Sequence, residues 1–115
     1  METINYSKSI VLKVTTVDNE LTVSLNQDVP GGSKFAEIYN RSVSGFATGV
    51  NDTIDFTKTM AGLGDSAVLT AVASNFAGGG QVTFDVIADG KSAFKKDQNF
   101  KEYSSQQWAV AIEKI

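Results

Sequence analysis

The stretch FAGGGQVTFDVIADGKSAF, Phe76 to Phe94, holds the residues of this chain that most invite chemistry: Gly78, Gly79 and Gly80, then Asp89-Gly90-Lys91-Ser92. Glycines ahead of Gly-Lys-Ser are the makings of a phosphate loop, in which backbone N–H groups cradle phosphate oxygens and the lysine neutralises them. The spacing does not deliver one. The glycine that such a loop needs ahead of Gly90 falls at Asp85, and no helical apolar stripe follows Ser92. A dinucleotide fingerprint fails as well, because Thr83 stands where its third glycine would follow Gly78 and Gly80. The simpler reading is a flexible glycine turn, an alternating strand with Val82, Phe84 and Val86 on one side, and an Asp-Gly reversal into a second strand.

The remaining chemistry is bounded by what is missing. The chain has no histidine and no cysteine. Serine–histidine triads, histidine-ligated metals, thiolate sites and disulfides are therefore excluded, and any catalysis would rest on carboxylates or lysine. Asn51, Asp52 and Asp55 lie close together, but without the spacing of a calcium loop. The expectation is no metal and no cofactor. Asn5, Asn40 and Asn51 open formal glycosylation sequons, read as chance occurrences. Ten basic residues against thirteen acidic ones leave a net charge of −3, with Arg41 the single arginine, so no nucleic-acid partner is expected. Lys91, Lys95, Lys96 and Lys101 read as solvated charges guarding a strand edge.

Those residues must be positioned by strands, because alternation with period two dominates. Ile10, Leu12 and Val14 share one face, as do Leu21, Val23 and Leu25 after a hairpin turn at Asp18-Asn19. A loop around Pro30-Gly31-Gly32 follows, and Phe35 to Asn40 fits a helical turn as well as a strand. SVSGFATGV and TIDFTKTM read as strands joined by a tight turn at Asn51-Asp52, the second with Ile54, Phe56 and Lys58 on one side. SAVLTAVAS suits a central strand buried on both faces. The last segment, from Ser104 to Ile115, reads as a strand with Trp108, Val110 and Ile112 inward, or as a helix aligning Trp108, Ala111, Ile112 and Ile115; its β surroundings favour the strand. Phe46, Phe56, Phe84 and Trp108 are expected in the core.

About eight short strands with Gly, Asn and Asp turns predict one all-β domain over residues 1–115, an antiparallel sandwich of immunoglobulin-like or jelly-roll-like type. Any short helix belongs near the Pro-Gly loop or at the C-terminus. VTFDVIADGKSAFK resembles the hairpins of immunoglobulin-like modules, although the Cys–Trp–Cys constellation of true immunoglobulin domains is missing. The resemblance implies a sandwich and carries over no functional residue.

No apolar run approaches the roughly 18 residues that span a bilayer, and the N-terminus lacks the apolar core of a signal peptide. That points to a cytoplasmic protein or one released by a non-classical route. The leading functional expectation is a non-enzymatic module that binds a protein or carbohydrate through loops or an exposed sheet face. Its candidate contact residues are Phe35, Tyr39, Asn51, Asp52, Phe76 and Tyr103. A second expectation is a membrane-active or toxin-like component using AVASNFAGGG in peripheral contact with a bilayer, and a third is a hydrolase working with carboxylates alone. Oligomers, if formed, would pair through edge strands.

Overall fold

The computed structural model describes residues 1–44, 47–76 and 78–115. Among these the chain forms strands β1 (Thr3–Tyr6), β2 (Ile10–Val17), β3 (Glu20–Val29), β4 (Gly32–Ser42) and β5 (Thr48–Asp55), then helix α1 (Thr57–Gly62). Strands β6 (Ser66–Asn75), β7 (Gly80–Ala88), β8 (Lys91–Phe100) and β9 (Ser104–Lys114) complete it. They build an all-β sandwich of two sheets, one in the order β1-β9-β6-β3-β4 and the other β5-β2-β7-β8. The centre of the core is the alternate set from β2, β3, β7 and β9: Ile10, Leu12, Val14, Leu21, Val23, Leu25, Val82, Phe84, Val86, Val110 and Ile112 are all buried. Phe84 packs edge-on against Trp108 with ring centroids 5.5 Å apart, which joins the two sheets at their centre. Phe56 is buried as expected, while Phe46 lies outside the described residues.

Several expected connections turn out differently. Asp18-Asn19 is no hairpin turn, because β2 pairs with β5 and β7 while β3 lies in the other sheet. The two residues are buried, and Asn19, at φ 54°, carries the chain over the end of the sandwich. The Pro-Gly loop shrinks to a tight turn: β3 and β4 pair up to Val29 and Gly32, and Gly31 takes φ +84° after Pro30. Residues Phe35 to Asn40 belong to β4, an edge strand with a bulge opposite Val23 and Ser24. Asn51 and Asp52 do not form a turn but sit within β5, Asp52 opposite Val14.

The helix is in neither expected place. Alternation ends at Asp55, whose carboxylate accepts the Thr57 backbone N–H at 3.0 Å and its hydroxyl at 2.7 Å. Phe56 and Met60, spaced for one helical face, are then both buried. Ser66 to Ser74 lies in the middle strand of its sheet as expected, but only one of its faces is buried. The unforeseen ninth strand, β1, runs parallel to β9 and makes the sandwich less than fully antiparallel. The C-terminal segment is a strand. The edges carry charge: Lys91, Lys95 and Lys96 lie on edge strand β8, and Arg41 and Asp52 take inward positions on β4 and β5. No helix among the described residues is long and apolar enough to cross a membrane.

The Asp-Gly reversal is where expected, with Asp89 at φ 51° and Gly90 at φ 80° between β7 and β8. The Asp89 carboxylate accepts the consecutive backbone N–H groups of Ser7, Lys8 and Ser9 at 2.9, 2.7 and 3.0 Å, and the Ser7 hydroxyl at 3.2 Å. These amides hold its pKa down at about 2. A carboxyl whose folded pKa lies below its unfolded value, about 3.9, contributes stability above that value and loses it as pH falls towards 2. Asp89→Asn keeps a residue suited to the turn and removes the charge. It is therefore expected to be less stable than wild type at pH 7, with the difference vanishing by about pH 2, as followed by circular dichroism in an acid titration.

Candidate functional site

The six candidate contact residues fall in three places. Tyr39, Asn51 and Asp52 come together along an open groove of about 480 Å³ between β4 and β5, with Asn40, Arg41, Thr53 and Ile54. There the Tyr39 hydroxyl donates to Asp52 Oδ2 at 2.5 Å, and Arg41 Nη1 reaches the same oxygen at 2.9 Å. The Tyr39 hydrogen bond, followed by Arg41, holds the Asp52 carboxyl below its ordinary range. Burial, then Asp52, pushes the Tyr39 phenol up. Asp52 is thus committed to a stitch between the edges of the two sheets, and Asp55 to the start of α1. Among the described residues no cluster of carboxylates has the makings of a metal site.

Phe76 and Tyr103 form the second group. The β6–β9 ladder ends at Asn75 opposite Ser104, which brings the next residues on each strand side by side. They share a concavity of about 380 Å³ with Ser74, Asn75, Ser104 and Ser105. Both aromatics are exposed, at 57% and 79%. The frame beneath them is fixed by buried amides. Asn19 Oδ1 accepts the Phe76 backbone N–H at 2.5 Å, Asn19 Nδ2 donates to the Val43 carbonyl at 3.1 Å, and Asn75 Nδ2 donates to the Gly78 carbonyl at 2.8 Å. On the other side the Ser104 hydroxyl donates to the Lys101 carbonyl at 2.5 Å. Tyr103 itself sits at φ 56°, a left-handed conformation that glycine adopts far more readily.

Phe35 stands apart, opposite Asn26 on the outer side of β4. The ladders nevertheless tie it to the aromatic end. One outward row of the five-stranded sheet runs Thr3, Ala111, Val68, Asn26 and Phe35; the next rows run Ala109, Thr70, Ser24 and Glu37, then Gln107, Val72, Thr22 and Asn40. The last row, Ser105, Ser74, Glu20 and Ser42, borders Phe76 from both sides, because Phe76 also lines a second hollow with Asn19, Glu20, Ser42, Val43 and Ser44. Small, hydroxyl and amide side chains make up most of this face, with Glu20 and Glu37 as its charged members in these rows. Its strands place no lysine or arginine at an outward position, since Lys34, Arg41 and Lys114 fall at inward register positions opposite Gln27, Leu21 and Tyr6.

Val72, the paired serines and Arg41 were not among the expected site residues. The spacing of Val68, Thr70, Val72, Ser74 and Phe76 on one side of β6 was the available signal, and Arg41 was marked only by being the chain's single arginine. Neither a family model, a curated protein nor a solved structure matches the chain.

Proposed function

We propose that this protein is a non-enzymatic binding module whose contact surface is the outer face of the five-stranded sheet, centred on its Phe76–Tyr103 end. One observation carries the reading. Away from the chain termini, the exposed large hydrophobic side chains among the described residues are Phe35, Val72, Phe76 and Tyr103, and all four lie on this face or at its margin. Apolar groups gathered on one surface that presents no cation on its strands, rimmed by polar residues, are what a docking surface needs. The rim carries Glu20, Glu37 and Glu113, which disfavours approach to an anionic membrane. Asp52, Asp55 and Asp89 are each held by partners within the fold, which supports binding over carboxylate catalysis.

The test uses two variants that spare the core. Tyr103→Gly removes the ring at a backbone position that glycine prefers, so its stability is expected to stay level or rise by up to about 1 kcal/mol. Phe76→Ser removes the neighbouring ring from an exposed site. Both are expected to lose binding to immobilised glycans or proteins by about tenfold or more, with no loss of thermal stability. Retained binding in both variants would put the contact surface elsewhere.

A further inference from the structure

We infer that the concavity between Phe76 and Tyr103 takes a neutral saccharide, an inference that rests on the binding-module reading and names its ligand class. The lining supplies two aromatic rings and three serines above the buried, already bonded amide of Asn75, and no formal charge. A sugar ring asks for that mixture: its apolar C–H face packs on an aromatic surface, and its hydroxyls pair with short hydroxyl and amide groups. The hydroxyls of Ser74, Ser105 and Tyr103 have no intramolecular partner among the described residues, so they are free to make such bonds. The volume, about 380 Å³, falls within the roughly 300–1,000 Å³ of small-ligand sites.

Charge narrows the class. Sulfated, sialylated or phosphorylated ligands need a cation; the strands of this face present none, and Lys101, on the turn that carries Tyr103, is followed directly by Glu102, which offsets its charge. The nearest charged group in the adjoining hollow is Glu20, a carboxylate that repels them. Backbone hydrogen bonding offers a peptide little on β6, which is paired on both sides, to β3 and to β9.

Preorganisation points the same way. Phe76 is held through Asn19, and the turn bearing Tyr103 through Ser104, so neither ring-bearing backbone must be ordered on binding. Tyr103 occupies φ 56° although it is 79% exposed, so burial gives no reason for a tyrosine there.

The experiment is an array of neutral oligosaccharides of glucose, galactose, mannose and N-acetylglucosamine beside sulfated and sialylated counterparts, probed with wild type, Phe76→Ser, Tyr103→Gly and Lys95→Ala. Isothermal titration then follows for any hit. The expected result is binding of neutral glycans that weakens about tenfold or more in the two aromatic variants and is unchanged in Lys95→Ala, on the opposite sheet. Binding confined to anionic glycans, or neutral binding indifferent to both aromatic variants, overturns the inference. A blank array together with a purified protein ligand whose binding needs Phe76 and Tyr103 overturns the saccharide and leaves the module standing. A blank array with no ligand dependent on either residue removes both.

Discussion

Gly80→Ala is expected to lower the thermal midpoint by on the order of 10 °C, corresponding to about 2 kcal/mol, while Gly79→Ala next to it stays within about 0.5 kcal/mol of wild type. The two glycines look interchangeable in the sequence and are not. A Cβ on Gly79 meets nothing within 4 Å, whereas on Gly80 it would lie 2.9 Å from Asn75 Nδ2 and 3.1 Å from both Asn75 Cβ and Cγ. Asn75 cannot swing away, because it is fully buried and its Nδ2 is bonded to the Gly78 carbonyl. The added methyl group therefore displaces a packed side chain and breaks a buried hydrogen bond together. Since Asn75 adjoins Phe76, the same variant is expected to lose amide protection at Phe76 in hydrogen exchange. Equal midpoints for the two alanine variants would show that Asn75 yields, and would remove the argument that this end is rigid.

That contrast shows where sequence reading stops. Ile10, Leu12 and Val14, or Val82, Phe84 and Val86, announce their strands because one face of each is buried and period two survives intact. The Asp89-Gly90 turn is equally plain, since local chemistry alone demands positive φ there. Which strands pair is not local. Asp18-Asn19 suits a hairpin, yet Asn19 is claimed by Val43 and Phe76, 24 and 57 residues away, and the chain crosses to the other sheet. Lys58 likewise joined the alternation of Ile54 and Phe56 on paper, but the backbone turns where Asp55 accepts the Thr57 N–H, and Met60 takes the helical face of Phe56. Phe76 and Tyr103 were legible one by one as aromatics beside loops. Their meeting depends on the register of β6 against β9, which no short window contains. Tyr39 and Asp52 were legible in the same limited way; that they face each other across two sheet edges is a tertiary fact.

Asp18→Asn is expected to be more stable than wild type at pH 7 by about 1–3 kcal/mol, an unusual sign for a core substitution. Asp18 is 1% exposed, and neither carboxyl oxygen has a well-formed hydrogen bond. Burial pushes its pKa above the ordinary carboxylate range, and the facing Gln81 backbone amide offsets this only in part. The folded state therefore holds a proton that the unfolded chain releases near pH 4. Stability from this group is complete below that value and is lost as pH rises through the higher folded pKa. Asparagine has the same shape and no charge to bury, so the advantage of the variant should open above about pH 4 and close below it. Calorimetric midpoints of both proteins from pH 3 to 8 read this difference directly, free of the opposite trend from Asp89 that both share. A variant less stable than wild type at pH 7 would mean that the carboxylate has an ionic partner and is worth keeping for stability. If the predicted sign holds, the position of Asp18 acquires meaning. Asp18, Asn19 and Asn75, the buried aspartate and asparagines among the described residues, are linked at one end of the sandwich, beneath the loop that presents Phe76. An apolar core that admits an only partly compensated carboxyl there gives up stability at the same end where its exposed aromatics stand, and departures of that kind gather at sites kept for function.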